Sequence, residues 1–386
     1  MKNNKYFFII LAMAILIKLS LFVLAIVNAP QSKFDPDSAT YLATAKVLYF
    51  HGAFAQEDKD GTLACEVFRT PGYPIFLALL HNLMKIPLSG VILFQIFLTI
   101  LVALITYKTA NEINNKISIL STVIVLYDLP TTVISLRIMT EVLYLFFLSL
   151  FTFSFILYLK NGKTNLIILS VLMLVAATYV RPVSYYLPAG IAIFIIYANV
   201  PKSFKKVFIQ ALIFFVIAYS LLGIWQIRNY RCCKERSFSR VARMNFPGVG
   251  LFQRYSKDKD SLVPATTPAR YYITTTLRAF LSFMTRPGSL KYFNSYPLTV
   301  IGKTLAYPWV VFWMIGFLVG SLKIRHNIYY QFIVFMILYF LFVTICNAAL
   351  ICGERFRVPI VPSLAIISSY GWLIISSFLA RRRNLS

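Results

Sequence analysis

The sequence predicts an all-α polytopic membrane protein, and three observations carry that expectation. The chain of 386 residues is 59% hydrophobic and only 13% charged, against roughly 25% charged and 45–50% apolar in an ordinary soluble domain. Its apolar residues gather into ten segments, at about 6–28, 88–107, 117–136, 141–159, 164–180, 183–199, 207–225, 301–322, 328–350 and 358–380; about 20 such residues cross about 30 Å of hydrocarbon. Short basic connections recur after every second segment, as membrane orientation requires. The expected organisation is one multi-pass domain over residues 1–386, with about ten transmembrane helices. Amphipathic juxtamembrane helices are expected in a first outer loop, 29–87.

Segment one follows Lys2 and Lys5 and is longer than the apolar core of a signal peptide, so it reads as an uncleaved helix. Lys18 interrupts it, with a stem long enough to snorkel or to face other helices. With the N-terminus inside, the inner connections are Lys108–Lys116, Lys160–Lys163, Lys202–Lys206 and Lys323–Arg325, and the tail is Arg381-Arg382-Arg383. The outer side then receives loop 29–87, a long loop 226–300 and three short turns. Loop 226–300 is itself very basic. Long loops escape the charge rule, so its arginines suit an anionic ligand outside the membrane.

In the first loop, Pro36 biases Asp35 toward extended backbone. A helix is expected from Ser38 to about Phe50, with an apolar stripe of Tyr41, Leu42, Ala45, Leu48 and Tyr49, and Gly52 ends it. Asp37 can cap that helix or serve as a general base, and spacing does not choose between these. Further on, Thr70 is expected to cap a helix with Pro71 at its first position. Arg69 beside that helix end would form an anion site, or an ion pair with Glu66 or Asp35.

The other outer turns repeat the theme. Arg137 and Thr140-Glu141 follow segment three, and Arg181-Pro182 follows segment five. Trp225 through Arg231, with Arg228, follows segment seven, and Glu354-Arg355-Phe356-Arg357 precedes segment ten. Singly, Glu141, Arg181 and Arg228 could each only complement a helix end. Together they fall on one side of the membrane, which points to a site there. Asp128, beside Pro130 in segment three, is an intramembrane acid that is either functional or paired with Lys18.

Net charge is +25, yet no soluble basic domain or nucleic-acid motif is present, so nucleic acid is not an expected partner. Cys65, Cys232, Cys233, Cys346 and Cys352, with His51, His81 and His326, form no metal-ligand spacing. Cys65 could pair with Cys232 or Cys233 if all face an oxidising compartment; unpaired cysteines fit equally well. Gly248-Val-Gly250 lacks the third glycine of a dinucleotide loop, and no Walker-type loop exists.

Asp37-Ser-Ala-Thr-Tyr41, followed by Arg69-Thr-Pro-Gly-Tyr-Pro74 at the head of an apolar helix, resembles the first outer loop of C-type membrane glycosyltransferases. It is most similar to the branch of protein O-mannosyltransferases and lipid A aminoarabinose transferases. Thr140-Glu141, Arg181-Pro182, Trp225 with Arg228-Asn229, and Glu354 through Pro359 resemble features of that branch in the same order. The resemblance spans nearly the whole chain, which is shorter than the best-known members and lacks their soluble C-terminal domain.

The resemblance implies an outward-facing cavity, an inverting transfer from a polyprenyl-phosphate-linked sugar, and a lipid, glycan or protein acceptor. It implies Asp37 as catalytic base, with Asp35 sharing or replacing it. The substrate-binding residues it implies are Tyr41, Arg69, Glu141, Arg181, Arg228, Arg355 and Arg357; Arg69, Arg228 and Arg355 are set at the lipid phosphate, with Arg181 and Arg357 in reserve. No cofactor is required, and a divalent metal stays open. The expected location is a bacterial inner membrane among membrane lipids, with both termini cytoplasmic and the site periplasmic. A transporter or flippase of a lipid-linked anion is the alternative, and a non-catalytic membrane assembly subunit a third.

Overall fold

The apolar runs fold as helices. Among the described residues, six helices are long and apolar enough to cross a membrane: Lys5–Asn28, Leu88–Ile113, Glu141–Asn161, Phe204–Cys233, Val300–Ser321 and Glu354–Arg381. Asn115–Leu126 and Leu129–Ser135 form a pair bent by 52°, a seventh span if taken as one. The shorter apolar helices Thr164–Val180, Pro182–Ala198 and Ile328–Thr344 stand at the remaining expected positions. The chain is an all-α protein with multiple candidate membrane spans. The structure, a computed structural model, describes residues 2–199, 204–241, 277–278, 280–286, 296–324, 327–348 and 354–383. Most of loop 226–300, the Gly248-Val-Gly250 fragment and Cys352 therefore lie outside the described residues.

In chain order the elements are α1 (Lys2–Asn28), α2 (Ser38–His51), β1 (Ala55–Glu57), β2 (Leu63–Cys65) and α3 (Gly72–Leu77). Then come α4 (Leu88–Ile113), α5 (Ser118–Leu126), α6 (Leu129–Ser135), α7 (Glu141–Asn161), α8 (Thr164–Val180), α9 (Leu187–Asn199) and α10 (Phe204–Cys233). The chain ends with α11 (Tyr296–Ser321), α12 (Ile328–Ala348), α13 (Glu354–Arg357) and α14 (Val361–Arg383).

Three expectations are corrected. Segment three is not one straight helix. Its chain breaks at Asp128, whose carboxylate accepts from Thr131 N and Oγ1 at 2.9 and 2.6 Å and so caps α6. Lys18 does not bond Asp128 directly; its Nζ donates to Thr132 Oγ1 at 2.7 Å. Segment seven runs on to Cys233, so Trp225 to Arg231 sit on helix α10 rather than in a loop.

Two close approaches fix the bundle. At the α11–α14 crossing, a Cβ added to Gly371 would lie 1.8 Å from Gly316 O, and one on Gly320 would lie 2.3 Å from Ile367 O. Gly316 and Gly320 are a small-xxx-small pair that lets two backbones touch where lipid supplies no hydrophobic drive. Near the first loop, a Cβ on Gly72 would meet Tyr179 C and Val180 N at 2.8 Å. That explains the glycine after Pro71: α3 must lie against the end of α8, where Arg181 begins.

The first loop also holds a small antiparallel hairpin, Ala55 opposite Cys65. Cys65 is bonded to Cys233 across 168 residues, with Cα atoms 5.8 Å apart, while Cys232 is free and exposed. The hairpin is thereby stapled to the end of α10. Closing so long a loop removes unfolded-state freedom equivalent to roughly 2–4 kcal/mol. Cys65→Ser is therefore expected to lower the melting temperature in detergent, and reductant should bring wild type down to the same value. A reductant-insensitive wild type would count against the bond.

Candidate active site

The site is built from the first loop outward. Asp37 occupies the N-cap position of α2, but its side chain makes no cap bond. Ser38 Oγ takes the local work instead, accepting from Asp35 N at 2.8 Å and donating to Ile138 O at 2.9 Å. The Asp37 carboxylate is left to face cations. Gly52, at φ 62°, ends the helix as expected. Along α2 the buried residues are Ser38, Tyr41, Thr44, Ala45 and Val47, with Tyr49 exposed, so the buried face is rotated from the expected stripe.

Arg69 is aimed by a turn rather than by a helix end. Buried Glu66 accepts from the backbone N–H groups of Phe68 and Arg69 and from Gln56 Nε2, folding the chain tightly there. Thr70 does not cap α3: its hydroxyl donates to Val180 O at 3.0 Å, and Pro71 takes the cap position. The Arg69 guanidinium then points back to α2. It donates to Thr40 Oγ1 at 3.0 Å, to Tyr41 OH at 3.2 Å and to Asp37 Oδ1 at 2.9 Å. It also lies 4.5 Å from the Tyr41 ring centre. The expected alternative partners, Glu66 and Asp35, are not its ion pair.

The turn between α6 and α7 is tied to the same place. Gln95 on α4 accepts from Tyr73 OH at 2.7 Å and donates to Ser135 O and Arg137 O. Ile138 N donates to Lys33 O at 2.9 Å. Held this way, Arg137 pairs with Asp35 at 2.9 Å, and α7 begins at Glu141, whose side chain is fully buried. Glu141 bonds Arg181 at 2.6 Å and also accepts from Arg355 Nε. Arg355, on α13, reaches Asp37 Oδ2 at 3.2 Å and Asp35 Oδ1 at 3.7 Å.

Residues from six separate stretches thus converge on one cavity of about 600 Å³. Asp37, Thr40, Tyr41, Arg69, Arg181 and Arg355 face it, together with Gln56, Asp58, Glu66 and the rings of Phe68 and Phe356. Asp35 and Glu141 stand behind this wall. Burial pushes the Asp37 carboxyl up, but hydrogen bonds and charge from Arg69 and Arg355 outweigh it and hold the group below the ordinary carboxylate range. Burial pushes the Tyr41 phenol up, so it stays neutral as a hydrogen-bonding partner of Arg69.

Arg228 and Arg357 are not placed at the cavity, which corrects their expected position. Arg228 lies against the rings of both Phe54 and Trp225, and its guanidinium donates to Phe54 O and, at 2.8 Å, to Glu66 O. Sitting on α10 below the disulfide, it secures the hairpin. Arg357 is buried in the bundle, donating to Phe283 O and Met284 O at 3.0 and 2.8 Å, with Asp128 4.0 Å away. Thr40 and the backbone-folding role of Glu66 went unforeseen. Arg137 was visible as one more arginine in a short turn, but its partner Asp35 was not.

A divalent metal does not fit this place. Among the described residues no group of three or more His, Cys, Asp or Glu is arranged to hold one. Asp35, Asp37 and Glu141 are all in contact with the guanidinium of Arg355. A cation already stands where a shared metal would stand.

Solved structures share this fold. Archaeal oligosaccharyltransferase AglB from Archaeoglobus fulgidus, in complex with an inhibitory peptide and a dolichol-phosphate, matches with a TM-score of 0.60 at 12% identity, over 99% of this chain and 52% of its own. The oligosaccharyltransferase of the same organism tethered to an acceptor peptide matches with 0.60 at 13% identity, over 99% and 51%. Its complex with zinc and sulfate matches with 0.60 at 13%, over 97% and 50%. The chain spans about half the length of these proteins. No protein-family model matches it, and no curated protein does. The fold is the GT-C-like one that the first-loop resemblance implied.

Proposed function

We propose that this protein is an inverting membrane glycosyltransferase that moves a sugar from a polyprenyl-phosphate donor to a lipid, glycan or protein acceptor. The observation that carries the proposal is the Asp37 carboxylate, paired with Arg69 and Arg355, facing an arginine-walled cavity at the ends of apolar helices. A general base needs a carboxylate open to the acceptor, and a departing lipid phosphate needs fixed cations where its charge develops. Asp37 supplies the first; Arg69, Arg181 and Arg355 supply the second. Tyr41 steadies Arg69, while Asp35 and Glu141 hold arginines from behind. The arrangement supports Asp37 over Asp35 as base, since only Asp37 lines the cavity.

The dolichol-phosphate and acceptor peptide in the solved relatives are compatible with such a cavity. The branch of protein O-mannosyltransferases and aminoarabinose transferases remains the assignment that the first-loop motif favours. The bond between Cys65 and Cys233 supports an oxidising, outer-face location for the site. A flippase would have no use for a base set beside its anion contacts. The test is mass spectrometry of glycolipids and glycoproteins from cells with and without the gene. A sugar-bearing species that disappears, and returns with the wild-type gene, is expected; an unchanged glycome with accumulation of an untransported lipid would favour the flippase.

A further inference from the structure

The charged cluster is not a set of four equal pairs. Asp37 faces Arg69, Asp35 faces Arg137 and Glu141 faces Arg181, at 2.9, 2.9 and 2.6 Å. Arg355 is a fourth cation whose nitrogens divide among all three carboxylates, close to Glu141 at 2.5 Å and looser on Asp37 at 3.2 Å and Asp35 at 3.7 Å. Asp58 and Glu66 line the same cavity outside these ion pairs. Arg355 lies on the cavity wall, with its side chain 33% exposed. Of the three acids it touches, only Asp37 also lines the cavity.

We propose that Arg355 is a shared cation that a bound phosphate draws off Asp37, so that donor occupancy itself turns Asp37 into a working base. Granted the transferase reading above, the consequence follows from charge. A carboxylate that accepts hydrogen bonds from two guanidiniums is a poor proton acceptor. Losing one of them, and gaining a neighbouring anion, both strengthen it. The groups facing Asp37 are Asp35 and Tyr41 from its own segment, Arg69 from the turn before α3, Glu141 and Arg181 across the Tyr41 phenol, and Arg355 from α13, with Asp58 and Glu66 of the hairpin on the same cavity wall. Arg69 is fixed by Thr40, Tyr41 and the Tyr41 ring, and the other two acids keep their own arginines. Arg355 is the exchangeable partner.

The charges then balance through the reaction. A phosphodiester donor brings one negative charge to a wall that carries Arg69, Arg181 and Arg355. In the step, the acceptor heteroatom bonds to the anomeric carbon and its proton goes to the Asp37 carboxylate. The bond from that carbon to the phosphate oxygen breaks, with its electron pair left on the oxygen. The lipid phosphate leaves as a dianion, while the cluster, with Asp37 protonated, has gained one positive charge. Arg355 follows the charge from base to leaving group.

The test uses the full chain in nanodiscs with a sugar-free polyprenyl monophosphate as probe. A water-soluble carbodiimide labels protonated carboxyls, and peptide mass spectrometry reads Asp37 labelling across pH. Bound lipid phosphate, verified by a thermal shift, is expected to move the Asp37 profile toward higher pH, with several-fold more labelling at a fixed acidic pH. Arg355→Gln should start with the raised profile and move much less with the lipid than wild type, keeping only the effect of the nearby anion, whereas Arg69→Gln should start raised and respond as wild type does. A wild-type profile that stays put with lipid phosphate bound would overturn the coupling and leave the transferase reading standing. Failure to bind lipid phosphate at all would sink both. The wild-type comparison decides alone should Arg355→Gln not fold.

Discussion

Asp37→Asn is expected to lower sugar transfer by about 10²- to 10⁴-fold, the contribution of a positioned general base, with the protein still folded. The substitution changes little in shape. The asparagine oxygen can still accept from Arg69 or Arg355, but it cannot take the acceptor's proton. The side chain is 35% exposed, and pairs this open contribute at most about 1 kcal/mol, so expression and melting at neutral pH should stay near wild type. Asp37 has a depressed folded-state pKa, so its small contribution to stability is fully present above the unfolded value of about 3.9 and is lost as pH falls through the folded value. Melting curves of wild type and variant should therefore converge in acid. Asp35→Asn is the control: that acid sits behind the wall on Arg137, so it should disturb stability more and turnover less. Full transfer activity in purified Asp37→Asn protein would remove Asp37 from the role of base.

Most of the helical architecture was legible because membrane helices announce themselves by uninterrupted apolar length, a one-dimensional property. The break at Asp128 was harder: Pro130 and an acid were visible, yet only the capping of α6 shows that they bend the segment by 52°. The site was legible as a list and illegible as a network. Asp37, Arg69, Arg181 and Arg355 each stood out in a polar turn, and all four line the cavity. Arg228 stood out in the same way and does not, because local sequence does not say whether a guanidinium meets a ligand or two backbone carbonyls. Likewise Thr-Pro at residues 70–71 reads as a helix start on spacing alone, but the close contact of Gly72 with Val180 turns Thr70 toward α8. Pairings across more than a hundred residues are tertiary facts, and Glu141 with Arg355 is the plainest case.

Glu141→Ala is expected to have the largest effect on the fold of the site. The Glu141 side chain is 0% exposed and holds two arginines from different segments, Arg181 after α8 and Arg355 on α13. Removing one member of a buried charge pair typically costs about 3–5 kcal/mol, because the surviving charge stays buried without a partner. Here the two surviving guanidiniums are partly exposed and Arg355 keeps Asp37 and Asp35, so the loss should fall at or below the bottom of that range, still visible as a fall in melting temperature in detergent together with loss of transfer. Glu141→Gln should be milder, since the amide oxygen still accepts one hydrogen bond, and should lower activity mainly through a misplaced Arg355. Removing the stranded cation as well separates a structural clamp from a mere contact. Arg181→Ala in the Glu141→Ala background should recover part of the lost stability, giving a clear coupling term in the double-mutant cycle. Strict additivity of the two substitutions, or a Glu141→Ala protein that melts with wild type, would show that the two arginines are positioned by something other than this carboxylate.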